Sequence, residues 1–324
     1  MEVAIKRSQS ENALPVQGVF AAMTLARDFS GQLELDVFAR HLQFAGATGV
    51  EGFVLNGATG EYCLTSADEL FQILVRARAV VGPGVKLLAA VGGASLAQTL
   101  ARVEAAEAAG ADALLLPVPY FFPYEQQDVI AFAKQVVQHV KLPLLLYNLP
   151  GFTTPIEPAT TLKLLQETVI SGIKDSSGEL ETLRLLTGSF QGANRVIGND
   201  AALHAALLEG LCDGVVSGVA SVLPELMIAF YREVKAAPHS RAALELKSAL
   251  DTVLEWLGRF PVPWGLKILA AERGFLTADF ALPLSPQRAA TAEDFARWFQ
   301  TNRGLLLAAS SMDAKLLAPL QENI

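Results

Sequence analysis

Eight short apolar runs of β character follow one another between Gly18 and Ser217, each trailed by an Ala- and Leu-rich stretch with helical spacing. The runs are Gly18–Ala22, Gly52–Asn56, Lys86–Val91, Ala113–Pro117, Leu144–Tyr147, Val169–Lys174, Arg195–Gly198 and Gly214–Ser217. Helical spacing marks Leu35–Ala45, Ala67–Val81, Leu96–Ala109, Gln126–Val140 and Ala201–Leu211 between them. This is the alternation of parallel βα units. Gly110 and Gly210 stand just before the next run, where a left-handed residue closes a helix. Eight consecutive units, with no GxGxxG after the first run, predict an α/β fold, a (β/α)8 TIM barrel, rather than a doubly wound sheet. From Pro224 onward the pattern is purely helical, around Arg241–Leu257, Trp264–Arg273 and Pro286–Phe299, with no Gly/Ser linker before it. The expected organisation is a polar N-terminal extension at 1–14, the barrel at 15–223, and the last barrel helix with a C-terminal helical extension at 224–324.

Composition narrows the partners. With 52% hydrophobic and 18% charged residues over 324 positions, the chain fills a large core. A net charge of −8 and the absence of a basic cluster argue against a nucleic-acid surface and for small-molecule chemistry. The longest apolar stretches, such as Ala113 to Phe122, are too short and too broken by proline to cross a bilayer. Residues 1–14 are polar and lack the apolar core of a secretory signal, so the expected setting is the cytoplasm. Cys63 and Cys212 make neither a disulfide framework nor a metal motif and are expected to be buried, unreactive thiols. His41, His139, His204 and His239 fall away from strand ends, and none pairs with Cys, Asp or Glu at metal-ligand spacing. No metal and no other cofactor is called for.

In such a barrel, function sits at the carboxyl ends of the strands. Lys86 opens its run and Lys141 precedes one, so both belong to the opposite face, whereas Lys174 closes the run Val169-Ile170-Ser171-Gly172-Ile173. Burial of a lysine favours its neutral form, a nucleophile toward carbonyls. Position alone leaves a second reading open, in which Lys174 reaches out of the barrel or pairs with Asp175. The preceding run ends in Tyr147, which either caps the core with a wet hydroxyl or serves the amine on the neighbouring strand as acid and base. After the second run, Asn56-Gly57-Ala58-Thr59-Gly60-Glu61 permits a tight turn whose amides and Thr59 hydroxyl face one point, the form of an anion nest, or of a plain strand-to-helix turn.

These motifs resemble the dihydrodipicolinate synthase and N-acetylneuraminate lyase family of class I, pyruvate-type aldolases. The resemblance runs from about Gly18 to Pro286. It rests on Gly57-Ala58-Thr59-Gly60-Glu61, Pro119-Tyr120, Tyr147-Asn148-Leu149-Pro150, Gly172-Ile173-Lys174-Asp175, Gly198-Asn199-Asp200, Gly214-Val215-Val216-Ser217 and Pro261-Val262-Pro263. It implies a barrel with a helical C-terminal part, assembled as a homo-oligomer (dimer or tetramer). It further implies a Schiff base between Lys174 and a 2-oxo acid, with Tyr147 as acid and base. Gly57, Ala58 and Thr59 would hold the 2-oxo carboxylate, and a backbone group at Val216 would face that ligand.

Seven positions depart from the synthase branch. Ala58 replaces a threonine, and Phe121 replaces a tyrosine that crosses a subunit interface, so both hydroxyls of a proton relay are missing; Tyr120, Tyr62 and Tyr124 are candidates to replace them. Phe152 stands where that branch keeps an arginine for the aldehyde's carboxylate, and a phenyl ring cannot make that charge-assisted bond. Ala67, Leu70, Ala94 and Gln98 replace polar or charged groups of the branch's lysine-feedback site, so lysine inhibition is not expected. The Lys174-Asp175-Ser176 run looks more like the branches that cleave 2-keto-3-deoxy sugar acids or 4-hydroxy-2-oxoglutarate. The expected activity is therefore a Schiff-base lyase interconverting pyruvate plus an aldehyde with a longer hydroxy-2-oxo acid. A dehydratase or the synthase itself would use the same imine. A non-catalytic 2-oxo acid binder is the rival of another class, and a phosphate-handling barrel is disfavoured by the carboxylate of Asp200.

Overall fold

The computed structural model describes residues 16–308. The expected extension at 1–14 lies outside the described residues. Strands β1 (Gly18–Ala22), β2 (Gly52–Leu55), β3 (Lys86–Ala90), β4 (Ala113–Pro117), β5 (Leu144–Asn148), β6 (Gly172–Asp175), β7 (Asn194–Ile197) and β8 (Gly214–Ser217) close into a barrel in chain order. Every neighbouring pair is parallel, β8 returning to β1. Helices α1 (Leu35–Ala47), α2 (Ala67–Val81), α3 (Leu96–Ala108), α4 (Gln126–Val137), α5 (Pro158–Glu167), α6 (Glu181–Ser189) and α7 (Leu203–Leu208) alternate with the strands. The short α8 (Val219–Val222) follows β8, and α9 (Pro224–Ala236) packs on β1, α7 and α10 (Arg241–Leu257). Helices α11 (Trp264–Glu272) and α12 (Pro286–Ala308) complete the C-terminal layer, with α11 against α8. The fold is a (β/α)8 barrel with a C-terminal helical layer.

Local chemistry sets these boundaries. Ser66 and Glu69 form a reciprocal capping box at the start of α2. Gly110 and Gly210 take left-handed φ of 77° and 65°, where a β-carbon would be strained. Most strand ends fall within a residue of expectation, but β6 begins at Gly172, and Val169 is exposed, so Val169–Ser171 belongs to the approach rather than to the strand. The helical stretch Ala201–Leu211 also shortens, to a 3-10 turn followed by α7.

Alternation along each strand then sorts two cores. Outward residues such as Phe53, Leu87, Leu114, Leu146, Ile173 and Val215 pack under the helices. Inward ones, Phe20, Val54, Leu88, Leu115, Leu145, Val196 and Val216, fill the interior together with Val16. The amino end is stoppered: Val16 is fully buried and held by Asn194, whose side chain accepts from Val16 N at 2.8 Å. Just above it, the Phe20 ring occupies the space over Gly52, where a β-carbon would come within 2.3 Å of Phe20 Cε1. The strands are apolar at nearly every position because both faces are covered. Among the described residues, no helix is long and apolar enough to cross a membrane.

Candidate active site

Lys174 faces the barrel interior because Gly172 and Lys174 alternate with Ile173 and Asp175 on β6. Gly172 sits so tightly on β7 that a β-carbon would meet Asn194 O at 2.1 Å. Register places Lys174 directly beside Tyr147 on β5. Both are buried, and Lys174 Nζ lies 3.8 Å from the centroid of the Tyr147 ring. Asp175 points the other way, its Oδ1 accepting from Asn148 Nδ2 at 3.2 Å and from Ser177 N at 2.8 Å. Among the described residues Lys174 has no carboxylate within ion-pair distance, which removes the reading that paired it with Asp175. Its stem needs room over the loop after β7: a β-carbon at Gly198 would lie 2.7 Å from Lys174 Cε and 2.1 Å from Ser176 Oγ.

The turn after β2 closes over the same space. Asn56 and Glu61 bracket it in the left-handed region, at φ of 58° and 51°. Gly60 N and Tyr62 N donate to Gly57 O, and Glu61 N donates to Ala58 O. The N–H groups of Gly57, Ala58 and Thr59 donate to no protein group among the described residues. Gly57 adjoins the phenol of Tyr147, since a β-carbon there would stand 4.0 Å from its hydroxyl oxygen. The turn thus keeps three backbone donors unspent near a buried amine and a phenol, the donor type that an anion nest requires. Val216 and Ala58 pack in the same inner cluster as Tyr147.

Phe121 and Phe152 are not enclosed. Both ride on loops over the carboxyl ends, joined by a bridge between Tyr120 and Thr153, and both side chains are largely solvent-exposed in the single chain. Phe121 takes φ of 87° and meets Phe122 edge to face. Of the three candidate replacement tyrosines, Tyr62 and Tyr120 join the inner cluster, their rings in T-shaped contact at 5.6 Å, while Tyr124 packs against the outer core. Burial, and then the nearby Tyr147, pushes the pKa of the Tyr62 phenol well above its ordinary value, so it holds its proton more tightly.

Sequence reasoning undervalued Asp200. Burial pushes its carboxyl up to about 6, against the opposing pull of the Ser217 hydroxyl, the Val219 N–H and the charge of Lys174. Its Oδ1 and Ser176 Oγ are enclosed without hydrogen-bond partners, so the mouth beside Lys174 presents unused polar capacity. The only signal was Gly198-Asn199-Asp200 itself, read as a charge rather than as a neighbour of the amine. The cysteines depart from expectation: Cys63 is exposed and Cys212 half-buried. Burial still moves both thiols upward, Cys212 to about 11, so neither is activated. Among the described residues, no three His, Cys, Asp or Glu side chains gather as a metal site would require.

A closed parallel barrel with an enclosed lysine at the carboxyl end of β6, beside a tyrosine on β5, defines a class of chemistry before it defines a family. Comparison with known proteins supplies the second step. The family described as the dihydrodipicolinate synthetase family matches residues 15–301. A protein of Halobacterium salinarum described as an uncharacterized DapA-like lyase is 30% identical over 292 residues, covering 89% of this chain and 95% of the relative. A 4-hydroxy-tetrahydrodipicolinate synthase of Streptomyces coelicolor is 33% identical over 281 residues, covering 86% and 89%. The crystal structure of dihydrodipicolinate synthase from Thermotoga maritima superposes with a TM-score of 0.82 at 25% identity, covering 90% of this chain and 99% of that one. The chain belongs to the dihydrodipicolinate synthetase family, and is an enzyme of the lyase class, class I aldolase in type.

Proposed function

We propose that the chain interconverts pyruvate plus an aldehyde with a longer hydroxy-2-oxo acid through a Schiff base on Lys174. The observation that carries this reading is the enclosed Nζ of Lys174, 3.8 Å from the Tyr147 ring and without a carboxylate partner among the described residues. The amine adds to the C2 carbonyl of the 2-oxo acid, water leaves, and the resulting iminium draws electrons from the C3–C4 bond. Tyr147 takes the proton of the C4 hydroxyl as that bond breaks, and the aldehyde departs. The enamine left on Lys174 is protonated at C3, and hydrolysis frees pyruvate and the amine. The free amides of Gly57, Ala58 and Thr59 hold the carboxylate throughout.

Relatives named as 4-hydroxy-tetrahydrodipicolinate synthases make condensation with aspartate semialdehyde the second reading. Phe152 weighs against it, because an apolar side chain offers no counter-charge to the aldehyde's carboxylate. The enzyme is read as cytoplasmic and free of metal or organic cofactor. Its exposed Phe121 and Phe122 are read as covered by another copy in a homo-oligomer. The test is a panel of 2-oxo acids scored for released pyruvate and for borohydride-trapped adduct. The adduct should map to Lys174 and vanish in Lys174→Ala. Labelling of another lysine, or no adduct in the native protein, overturns the mechanism.

A further inference from the structure

Lys267 is the one charged side chain with no exposure at all among the described residues, and the proposed mechanism does not use it. It extends from α11 between two carboxylates of distant segments. Asp279 Oδ2, in the loop after α11, accepts a directed hydrogen bond from its Nζ at 2.7 Å, and Glu61 Oε2 stands 2.6 Å away as an ion-pair partner outside hydrogen-bond alignment. Glu61 is the last residue of the turn that leaves the amides of Gly57, Ala58 and Thr59 free, and it holds a left-handed φ of 51° without being glycine or asparagine. Such a conformation persists where surrounding structure over-determines it. The residue before Lys267 reinforces the contact: a β-carbon on Gly218 would lie 2.9 Å from Leu266 Cδ1 and 3.5 Å from Thr59 Oγ1. On its other side the turn is tied down by buried Arg102, which donates to Tyr62 O at 3.2 Å and Thr65 O at 2.5 Å.

We propose that Lys267 is the positioning residue of the carboxylate turn: drawn between Glu61 and Asp279, it fixes Glu61 in its left-handed conformation and so presets the free amides for the 2-oxo acid. The C-terminal helical layer is thereby part of the binding site although no residue of it touches the reacting atoms. This rests on the reading of the turn as the carboxylate site. Preorganisation of this kind lowers the cost of binding rather than the barrier of the chemical step.

Lys267→Met leaves two buried carboxylates unpaired and can fail to fold. A second variant, Lys267→Met/Glu61→Gln/Asp279→Asn, removes all three charges together, a change that buried ion sets tolerate. Two measurements are made on it: the pyruvate concentration that half-saturates borohydride trapping on Lys174, and amide hydrogen exchange of Gly57 to Leu64. The expected result is a rise of about tenfold or more in the half-saturating concentration, with trapping still complete at saturation and the rate at saturation within about threefold of native. Exchange in the turn accelerates while that of β4 and β5 is unchanged. Lys267→Arg, which keeps the charge, restores at least part of the affinity. An unchanged half-saturating concentration overturns the proposal, whether or not exchange accelerates. Absence of any adduct in the native protein is the separate failure of the Schiff-base reading, and then unchanged exchange in the triple variant overturns the positioning role by itself.

Discussion

Gly198→Ala is the sharpest perturbation of the candidate site, since it adds one methyl group and touches no polar atom of the mechanism. That methyl would stand 2.7 Å from Lys174 Cε and 2.1 Å from Ser176 Oγ, where ordinary contact begins near 3.4 Å. Relief requires Lys174 Cε to retreat by about 0.7 Å, and a reacting group misplaced on the scale of 1 Å loses roughly 10²-fold in rate. Both offended atoms belong to side chains that can turn away, and Gly198 does not have a positive φ, so the fold itself is little strained. The variant should therefore melt within a few degrees of the native protein while forming imine about 10²-fold more slowly. The assay is quenched-flow trapping with pyruvate and borohydride, read beside a thermal melt. Native-like imine formation in a folded Gly198→Ala would refute the claim that this glycine makes room for the nucleophile. A collapsed melting temperature would show instead that the clash is borne by the backbone.

Tyr147→Phe keeps the ring under Lys174 and removes only the hydroxyl, so turnover should fall by roughly two to four orders of magnitude while some imine can still be trapped; unchanged turnover assigns the proton to another group. Phe152→Arg should shift the ratio of kcat/KM in condensation toward aspartate semialdehyde and away from uncharged aldehydes, and a native enzyme that already prefers the acidic aldehyde contradicts the reading of Phe152. His41, buried in α1, is held neutral: burial lowers its pKa to about 4, while its Nε2–H donates to Ser221 O at 2.6 Å. The folded value lies below the unfolded 6.5, so its neutral contribution is intact above pH 6.5 and is lost as pH falls toward 4. The loss amounts to about 3 kcal/mol, and urea unfolding of His41→Gln should lack that pH dependence between 6.5 and 4.

The strands were legible because a parallel sheet covered on both faces is written as apolar runs between glycines, a pattern that needs no knowledge of partners. Lys174 was legible for a partly mistaken reason. The run Val169–Ser171 that seemed to lead into it is no strand, and its inward aim follows from alternation with Gly172. Tyr147 was legible because consecutive strands of a barrel are neighbours. The raised pKa of Asp200 was not, because it arises from burial that outweighs the Ser217 hydroxyl and the Val219 N–H, and the linear order shows neither that burial nor those partners. Nor was the Lys267–Glu61 pair, whose members lie on α11 and the turn after β2. Exposure of Cys63 was hidden as well, because the 3-10 turn buries Tyr62 and leaves the neighbouring Cys63 and Leu64 outside.

The stopper formed by Val16 and by Phe20 over Gly52 makes the barrel a vessel with one mouth. The loops that carry Tyr120 and Thr153 border the open, carboxyl end, so on the proposed mechanism substrate and product share that side. One doorway imposes a queue. On the proposed mechanism the fragment tethered to Lys174 sits innermost, so it would enter first and depart last, and its partner would be the only species to exchange while the tether stands. Access, and not only affinity, then sets the sequence of events: a molecule lodged among the mouth loops blocks entry and exit alike without touching the lysine.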